Sequence, residues 1–515
     1  MRVQPFDLQA AAALPAWRDD LAWPLDVPAW GGVARAATRA LLLAAAALPD
    51  EGARAAALLA LPRVALRGRA LLLAAATLAA AHKAGMRMAG GPPELAFLCG
   101  AQAAAASPES MLPQDAGVPP RWRAAARALA LNPPGRWPAA LLARRATAVT
   151  HNSLLAAEAR RRGVALGFVH ANRLLAAARA AGGALPGPAA ETAAAALTAA
   201  LLAHDTAGEP WRGRLAPLLA AFVRRVVQEA AADLAGLAAL RDLPRAVWSG
   251  TGGNYAARAV GLAAMARGGQ ATRFAHGAAF AVTDLAEQVA LAELAAATRY
   301  VVETPAVAGG GTIAQARALA GPQGAAVEAG GGDPGLALPA ARRPPAARRP
   351  RVLYVAAASF GFAVHAPPFL PDPVYLDWQL RLAALLRAMP VELTCQPHPE
   401  GLFLGREHPL AGVAPTHRGR FEDVVDAADA LVFDYAGSTT FWKGAMSAKR
   451  MIVVDLGTLP LAAEVRPLVA ARAAVVPVAY DDRRRPQVDA AALADAVLKG
   501  GAGDPAPLRR LLLGR

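Results

Sequence analysis

A chain of 515 residues is long enough for two or three domains, each with its own core. Its 54 Lys and Arg against 39 Asp and Glu leave a formal charge of +15, a balance that favours anionic partners. The basic residues are scattered and form no helix-turn-helix, zinc-finger or RNP-like pattern, so nucleic acid is not expected among those partners.

The two cysteines, Cys99 and Cys395, lie far apart without metal-ligand spacing. They exclude a disulfide framework and a thiolate zinc site, and they suit a reducing cytoplasm. The hydrophobic fraction of 55% is inflated by alanine, which favours helix and buries little area. No secretory leader is expected at the start. The most apolar runs, 40–48 and 70–81, are shorter than the roughly 20 residues a bilayer needs, so no span is expected.

Residues 1–140 are Ala/Leu/Arg-rich with helical periodicity, broken at Pro92-Pro93, Pro119-Pro120 and Pro133-Pro134. Trp17, Trp23 and Trp30 lie among prolines, with Asp19 and Asp20 beside them, which favours packing on a core over contact with a membrane. This stretch is expected to be a helical N-terminal region.

From 141 to 335 the texture changes to strands alternating with helices, the pattern of a Rossmann-like domain. His151-Asn152-Ser153 falls at a strand-to-helix loop and reads best as a helix cap. A clearer unit runs over 246–277, with the turn Ser249-Gly250-Thr251-Gly252-Gly253-Asn254 between strand and helix. The turn lacks the third glycine and the acid of a dinucleotide fingerprint, and the Lys-Ser/Thr of a P-loop. Gly252, Gly253 and Asn254 are instead expected to bring backbone donors close to an anionic or sugar ligand.

His276 follows the second strand of that unit, where an imidazole titrating near neutrality can take a proton from a hydroxyl. Asp284 and Glu287 are the competing carboxylate bases, and Glu303 with Thr304 ends another strand. Beyond 305 the apolar periodicity fades into glycine triplets and then into the Pro/Arg run of 336–350, read as a linker.

The last domain, 351–515, opens on a buried strand followed by small residues and Ser359, suited to a sugar or phosphate contact. A proline-rich insertion at 365–373 leads to a helix. The strand after it ends in Gln396-Pro397-His398-Pro399-Glu400-Gly401, and a further buried strand ends in Asp434-Tyr435-Ala436-Gly437-Ser438-Thr439-Thr440. Parallel sheets place ligands at such carboxyl ends. The His398 imidazole and the hydroxyls of Ser438, Thr439 and Thr440, at a helix start, can hold phosphate.

A strand, a His-Pro pair, a second strand, a Ser/Thr cluster and a helix, in that order, resemble the donor-binding half of two-domain glycosyltransferases of the GT-B type. The resemblance is to those using cytidine nucleotides: bacterial sialyltransferases, capsule Kdo transferases and CDP-glycerol glycerophosphotransferases. It implies that His398 of the first motif and Ser438, Thr439 and Thr440 of the second bind the donor nucleotide; Glu400 and Ser359 are expected to join them as nucleotide-binding residues. His276-Gly277 is similar to the His-Gly of CDP-glycerol-type polymerases, which implies that His276 is a base.

The expected architecture is two Rossmann-like α/β domains facing across a cleft, preceded by the helical region. The expected reaction moves a sugar from a nucleotide-activated, cytidine-type donor to a surface or capsular polysaccharide. No metal and no cofactor beyond the donor substrate are expected. The acceptor is expected to be a glycan or lipid-linked glycan, met by a cytoplasmic protein in peripheral contact with the anionic inner membrane. A nucleotide-sugar epimerase of the same fold is the alternative, disfavoured because Ser438-Thr439-Thr440-Phe441-Trp442 stands where epimerases carry a Gly-Gly-x-x-Glu-Glu run. A non-catalytic glycan-binding scaffold is the other.

Overall fold

The structure is a computed structural model that describes residues 2–14, 16–91, 93–100, 120–142, 146–182, 187–278, 281–338, 349–359, 370–458 and 460–515. The expected linker at 336–350 and the insertion at 365–373 fall largely on 339–348 and 360–369, outside the described residues.

Two short strands, β1 (Arg2–Pro5) and β2 (Met86–Ala89), pair in parallel within the N-terminal region. The first large sheet contains β3 (Ala146–Ala148), β4 (Leu166–Phe168), β5 (Ala246–Ser249), β6 (Gln270–Phe274), β7 (Arg299–Val302) and β8 (Ala326–Ala329). Its order is β4-β3-β5-β6-β7-β8, all parallel. The second contains β9 (Arg351–Val355), β10 (Glu392–Gln396), β11 (Ala430–Phe433), β12 (Arg450–Asp455), β13 (Ala474–Tyr480) and β14 (Pro486–Val488). It repeats the order as β10-β9-β11-β12-β13-β14, with only β14 antiparallel. Strands such as β11 are buried along their whole length because helices cover both faces, which explains their unbroken apolar sequence. The chain reverses direction between β3 and β5, and again between β9 and β11. Each reversal opens a crevice at the carboxyl ends of the strands. The chain therefore holds two Rossmann-like domains.

The helical region is larger than the first 140 residues. The crossover from β4 to β5 contributes the helices Pro188–Leu202 and Trp211–Ala239, which pack against Val27–Ala46 and Glu51–Lys83 as one layer. Arg258, fully buried on the helix Tyr255–Ala266, joins this layer to the first sheet by donating to the Leu58 carbonyl at 2.8 Å. Trp23 and Trp30 are buried in its core, as the packing reading expected.

The apolar run at 70–81 is not an isolated short piece. It belongs to the 33-residue helix Glu51–Lys83, capped by Asp50, which is long and apolar enough to cross a membrane by length and composition. In this fold 83% of its most apolar window is buried inside the protein. The glycine-rich stretch after 305 is also more regular than its composition suggests. Thr304 caps the short helix Pro305–Ala308, and Gly311–Ala320 buries Ile313 and Ala316.

Backbone contacts tie the domains together. Asp284 N–H donates to the Pro460 carbonyl at 2.7 Å, and Ala462 N–H to Val282 at 3.2 Å. The final helix, Ala506–Leu513, bridges both units: Arg509 donates to the Met446 carbonyl at 2.9 Å, while the Leu511 carbonyl accepts from Thr304 Oγ1 at 2.5 Å.

Candidate active site

The crevice between β9 and β11 is built on a buried carboxylate. Asp434, the residue after β11, accepts from Tyr354 Oη at 2.7 Å, Tyr375 Oη at 2.9 Å and Trp378 Nε1 at 3.0 Å. Burial raises its carboxyl to about 6 against these three donors, which favour the charged form. The anchor fixes where the following loop leaves the sheet. Ser438 then caps the helix Thr439–Met446, its hydroxyl accepting from Phe441 N–H at 3.1 Å. The hydroxyl proton is left to donate.

On the other wall, His398 Nδ1 accepts from Glu400 N–H at 3.2 Å. In the neutral ring that bond places the proton on Nε2, making it a donor. Burial lowers the His398 pKa and the Glu400 carboxylate opposes the shift. His398, Ser438 and Thr440 line one crevice together with Tyr435, Gln396 and Val355, as the two motifs expected. The space is narrow, about 20 Å³, room for one water-sized group.

Three of the expected donor residues are placed differently. Thr439 turns away from the crevice and stands against Gly277 of the other domain. Glu400 is exposed and holds His398 through its backbone, while its carboxylate acts on His276. Ser359 is buried, with Oγ unpartnered among the described residues, and does not line the crevice; its carbonyl accepts Leu402 N–H at 2.8 Å and so holds the loop after His398.

His276 emerges from β6 into the gap between the domains and stays accessible. Crowding by protein on most sides lowers its pKa; Asp333 and Glu400 pull it up and Lys443 pushes it down. Groups of both domains therefore set its charge. Gly277 follows with φ +65 and Ala278 with φ +59, a left-handed pair that turns the chain at the cleft.

Asp284 is not beside His276. It pairs with Arg35 at 3.0 Å, and Glu287 pairs with Arg39 at 2.8 Å, in a separate cavity of about 710 Å³ that Arg466 and His204 also line. Both carboxylates are held by arginines of the N-terminal helix Val27–Ala46, in this cavity and away from the cleft.

Gly252 also departs from expectation. A Cβ there would stand 1.9 Å from the Ala292 carbonyl oxygen, and its N–H donates to Glu293 Oε1 at 3.3 Å. The close approach its glycine permits is to the protein itself. Gly253 is exposed, and Asn254 caps the next helix while lining a cavity beside β3. Asn152 is the cap of Ser153–Arg161, as expected, and its Nδ2 also donates to the carbonyls of Gly250 at 2.7 Å and Ala275 at 2.8 Å.

Glu303 is a strand-end carboxylate whose state the sequence does not signal. It is fully buried at the end of β7, and among the described residues neither oxygen has a hydrogen-bond partner. Burial raises its pKa to about 7; the nearby N–H groups of Glu303 and Ala278 oppose the shift, and Asp333 reinforces it.

No family model matches the chain, and no curated protein matches it. Among solved structures it is similar to CalG4, the calicheamicin glycosyltransferase, at 14% identity over 72% of this chain and 92% of that one, with a TM-score of 0.32. It is also similar to the glycotransferase of kitacinnamycin, at 14% identity over 72% of this chain and 94% of that one, with a TM-score of 0.34.

Proposed function

We propose that the protein transfers a sugar from a nucleotide-activated donor to a hydroxyl of a glycan acceptor. The observation that carries this reading is the convergence of His398, Ser438 and Thr440 in one crevice, with His276 reaching the same gap from the opposite domain.

In this reading His398 Nε2–H and the hydroxyls of Ser438 and Thr440 donate to the donor phosphate, supported by the positive end of the helix Thr439–Met446. Neutral His276 accepts the proton of the acceptor hydroxyl. The acceptor oxygen bonds to the anomeric carbon, the bond from that carbon to the phosphate oxygen breaks, and its electron pair leaves with the nucleotide. The developing charge falls on groups already aimed at it. Asp284 has no part in this step.

The donor is a cytidine nucleotide sugar, on the resemblance of the two motifs, and the acceptor a surface or capsular polysaccharide, free or lipid-linked. The protein works in the cytoplasm and visits the anionic inner leaflet. Thermal shift with CMP, CDP, UDP and GDP tests the donor: the cytidine nucleotides should stabilise the chain most, and a preference for UDP or GDP would remove the cytidine assignment. The reaction proceeds without a divalent ion. Loss of transfer in EDTA, restored by Mg²⁺ or Mn²⁺, would overturn that part.

A further inference from the structure

Beside the switch point of the first sheet lies a cavity of about 670 Å³ that the donor chemistry does not use. Its floor is Val149 and Thr150 after β3, and His170 and Asn172 after β4; Asn254 closes one side, and the helix Arg121–Leu131 brings Trp122, Arg123 and Arg127 over the other. Among the described residues, no Asp or Glu lines it. Neither the Arg123 nor the Arg127 side chain forms an ion pair or hydrogen bond among the described residues, and both are exposed.

Among the described residues, Arg67, Arg161, Arg179 and Arg351 each meet a carboxylate. Arg123 and Arg127, one helical turn apart over a concave surface, do not. Trp122 is 66% exposed, with the Arg123 guanidinium 5.5 Å from its ring centroid. His170 Nε2 is buried without a hydrogen-bond partner among the described residues. The field is positive throughout: after burial, Arg127 is the next largest cause that holds both His151 and His170 below the ordinary imidazole value.

The cavity is also coupled to the cleft. Thr150 Oγ1 accepts from Gly250 N–H at 3.0 Å, and two residues on, Asn152 holds the carbonyl of Ala275, the neighbour of His276. A ligand seated on Thr150 and Asn254 lies on the same loops that position His276.

We propose that this cavity binds an anionic sugar unit of the acceptor, with Arg123 and Arg127 gripping its carboxylate or phosphate and Trp122 stacking on the ring. A planar guanidinium fork suits either oxyanion, and an aromatic face suits the apolar side of a pyranose. The proposal rests on the transferase reading and names the acceptor class for it.

Calorimetry on the full chain tests it, with tetragalacturonate as the carboxylate probe, glucose 1-phosphate as the phosphate probe and maltotetraose as the neutral control. At least one anionic probe should bind and the neutral one should not, and whichever binds identifies the anion. Arg123→Ala/Arg127→Ala should weaken that binding at least tenfold, and Trp122→Ala should weaken it as well. Equal binding of maltotetraose, no binding of either anionic probe, or unchanged affinity in the double variant overturns it. These substitutions lie on exposed positions, and an unchanged melting temperature shows that the variant is folded. Nucleotide-induced thermal shift is read in parallel. Its absence in the wild type would count against the transferase reading, while its persistence in the double variant keeps failure of the acceptor site separate.

Discussion

Gly277 and Thr439 meet across the domain gap so closely that a Cβ on Gly277 would stand 2.1 Å from Thr439 Oγ1. The contact joins the residue after His276 to the first residue of the helix that Ser438 caps. It sets how far the candidate base lies from the candidate phosphate site.

Gly277→Ala should therefore disturb both stability and transfer. Alanine at φ +65 costs about 1–2 kcal/mol in backbone strain alone, before the steric clash. Displacing His276 by about 1 Å would lower kcat/KM by on the order of 100-fold. Adding Thr439→Ala removes the nearest atoms and should restore part of the loss. A double variant no better than the single one would mean that the contact does not set the geometry.

The donor crevice is separable from its structural role. His398→Ala should weaken nucleotide binding by about 1–3 kcal/mol, the range for a hydrogen bond to a charged group. Ser438→Ala should lose about 1 kcal/mol of stability as well, because the cap goes with the hydroxyl, whereas Ser438→Gly keeps most of the cap. Nucleotide affinity measured in both Ser438 variants then reports the hydroxyl alone; wild-type affinity in both, and in His398→Ala, would remove the site.

The charges around His276 give a pH signature. Its pKa is lowered, so the ring is neutral at pH 7 and loses its capacity as a base as pH falls through a value below the ordinary imidazole range. Lys443→Ala removes a lowering charge and should move the acid limb of kcat/KM upward. Glu400→Gln removes a raising charge and should move it downward. A limb that neither substitution moves, or that both move in one direction, belongs to another group.

Glu303 should appear in the pH dependence of stability. Its folded pKa of about 7 stands above its ordinary 4.5, so the folded chain binds the proton more tightly. The stabilisation is fully present below about 4.5 and is lost as pH rises through about 7. Glu303→Gln should flatten that slope and gain about 1–3 kcal/mol relative to wild type at pH 8. Melting curves at pH 5 and pH 8 check it; an unchanged difference between the two would contradict the buried, unpaired carboxylate.

The local pattern of the chain determined where strands end. A short apolar run such as 430–433, bounded by turn residues, suits a central strand covered on both faces, and Pro397 and Ser438 mark where the following loop and helix begin. That is enough to bring His398 to the end of β10 and Ser438 and Thr440 to the end of β11, on either side of β9 in one sheet, and to put His276 at the end of β6. Spacing along a strand or helix carries no record of contacts made from far along the chain. Asp284 became a salt-bridge partner because Arg35, 249 residues away, sits on a helix packed over the first sheet. Gly252 was taken up by the backbone of Ala292, and Thr439 stands against Gly277 of the other domain instead of lining the crevice with Ser438 and Thr440. Which strand end a residue occupies is a matter of local periodicity and caps. What its side chain then faces depends on the packing of elements from elsewhere in the chain, which only the tertiary structure decides.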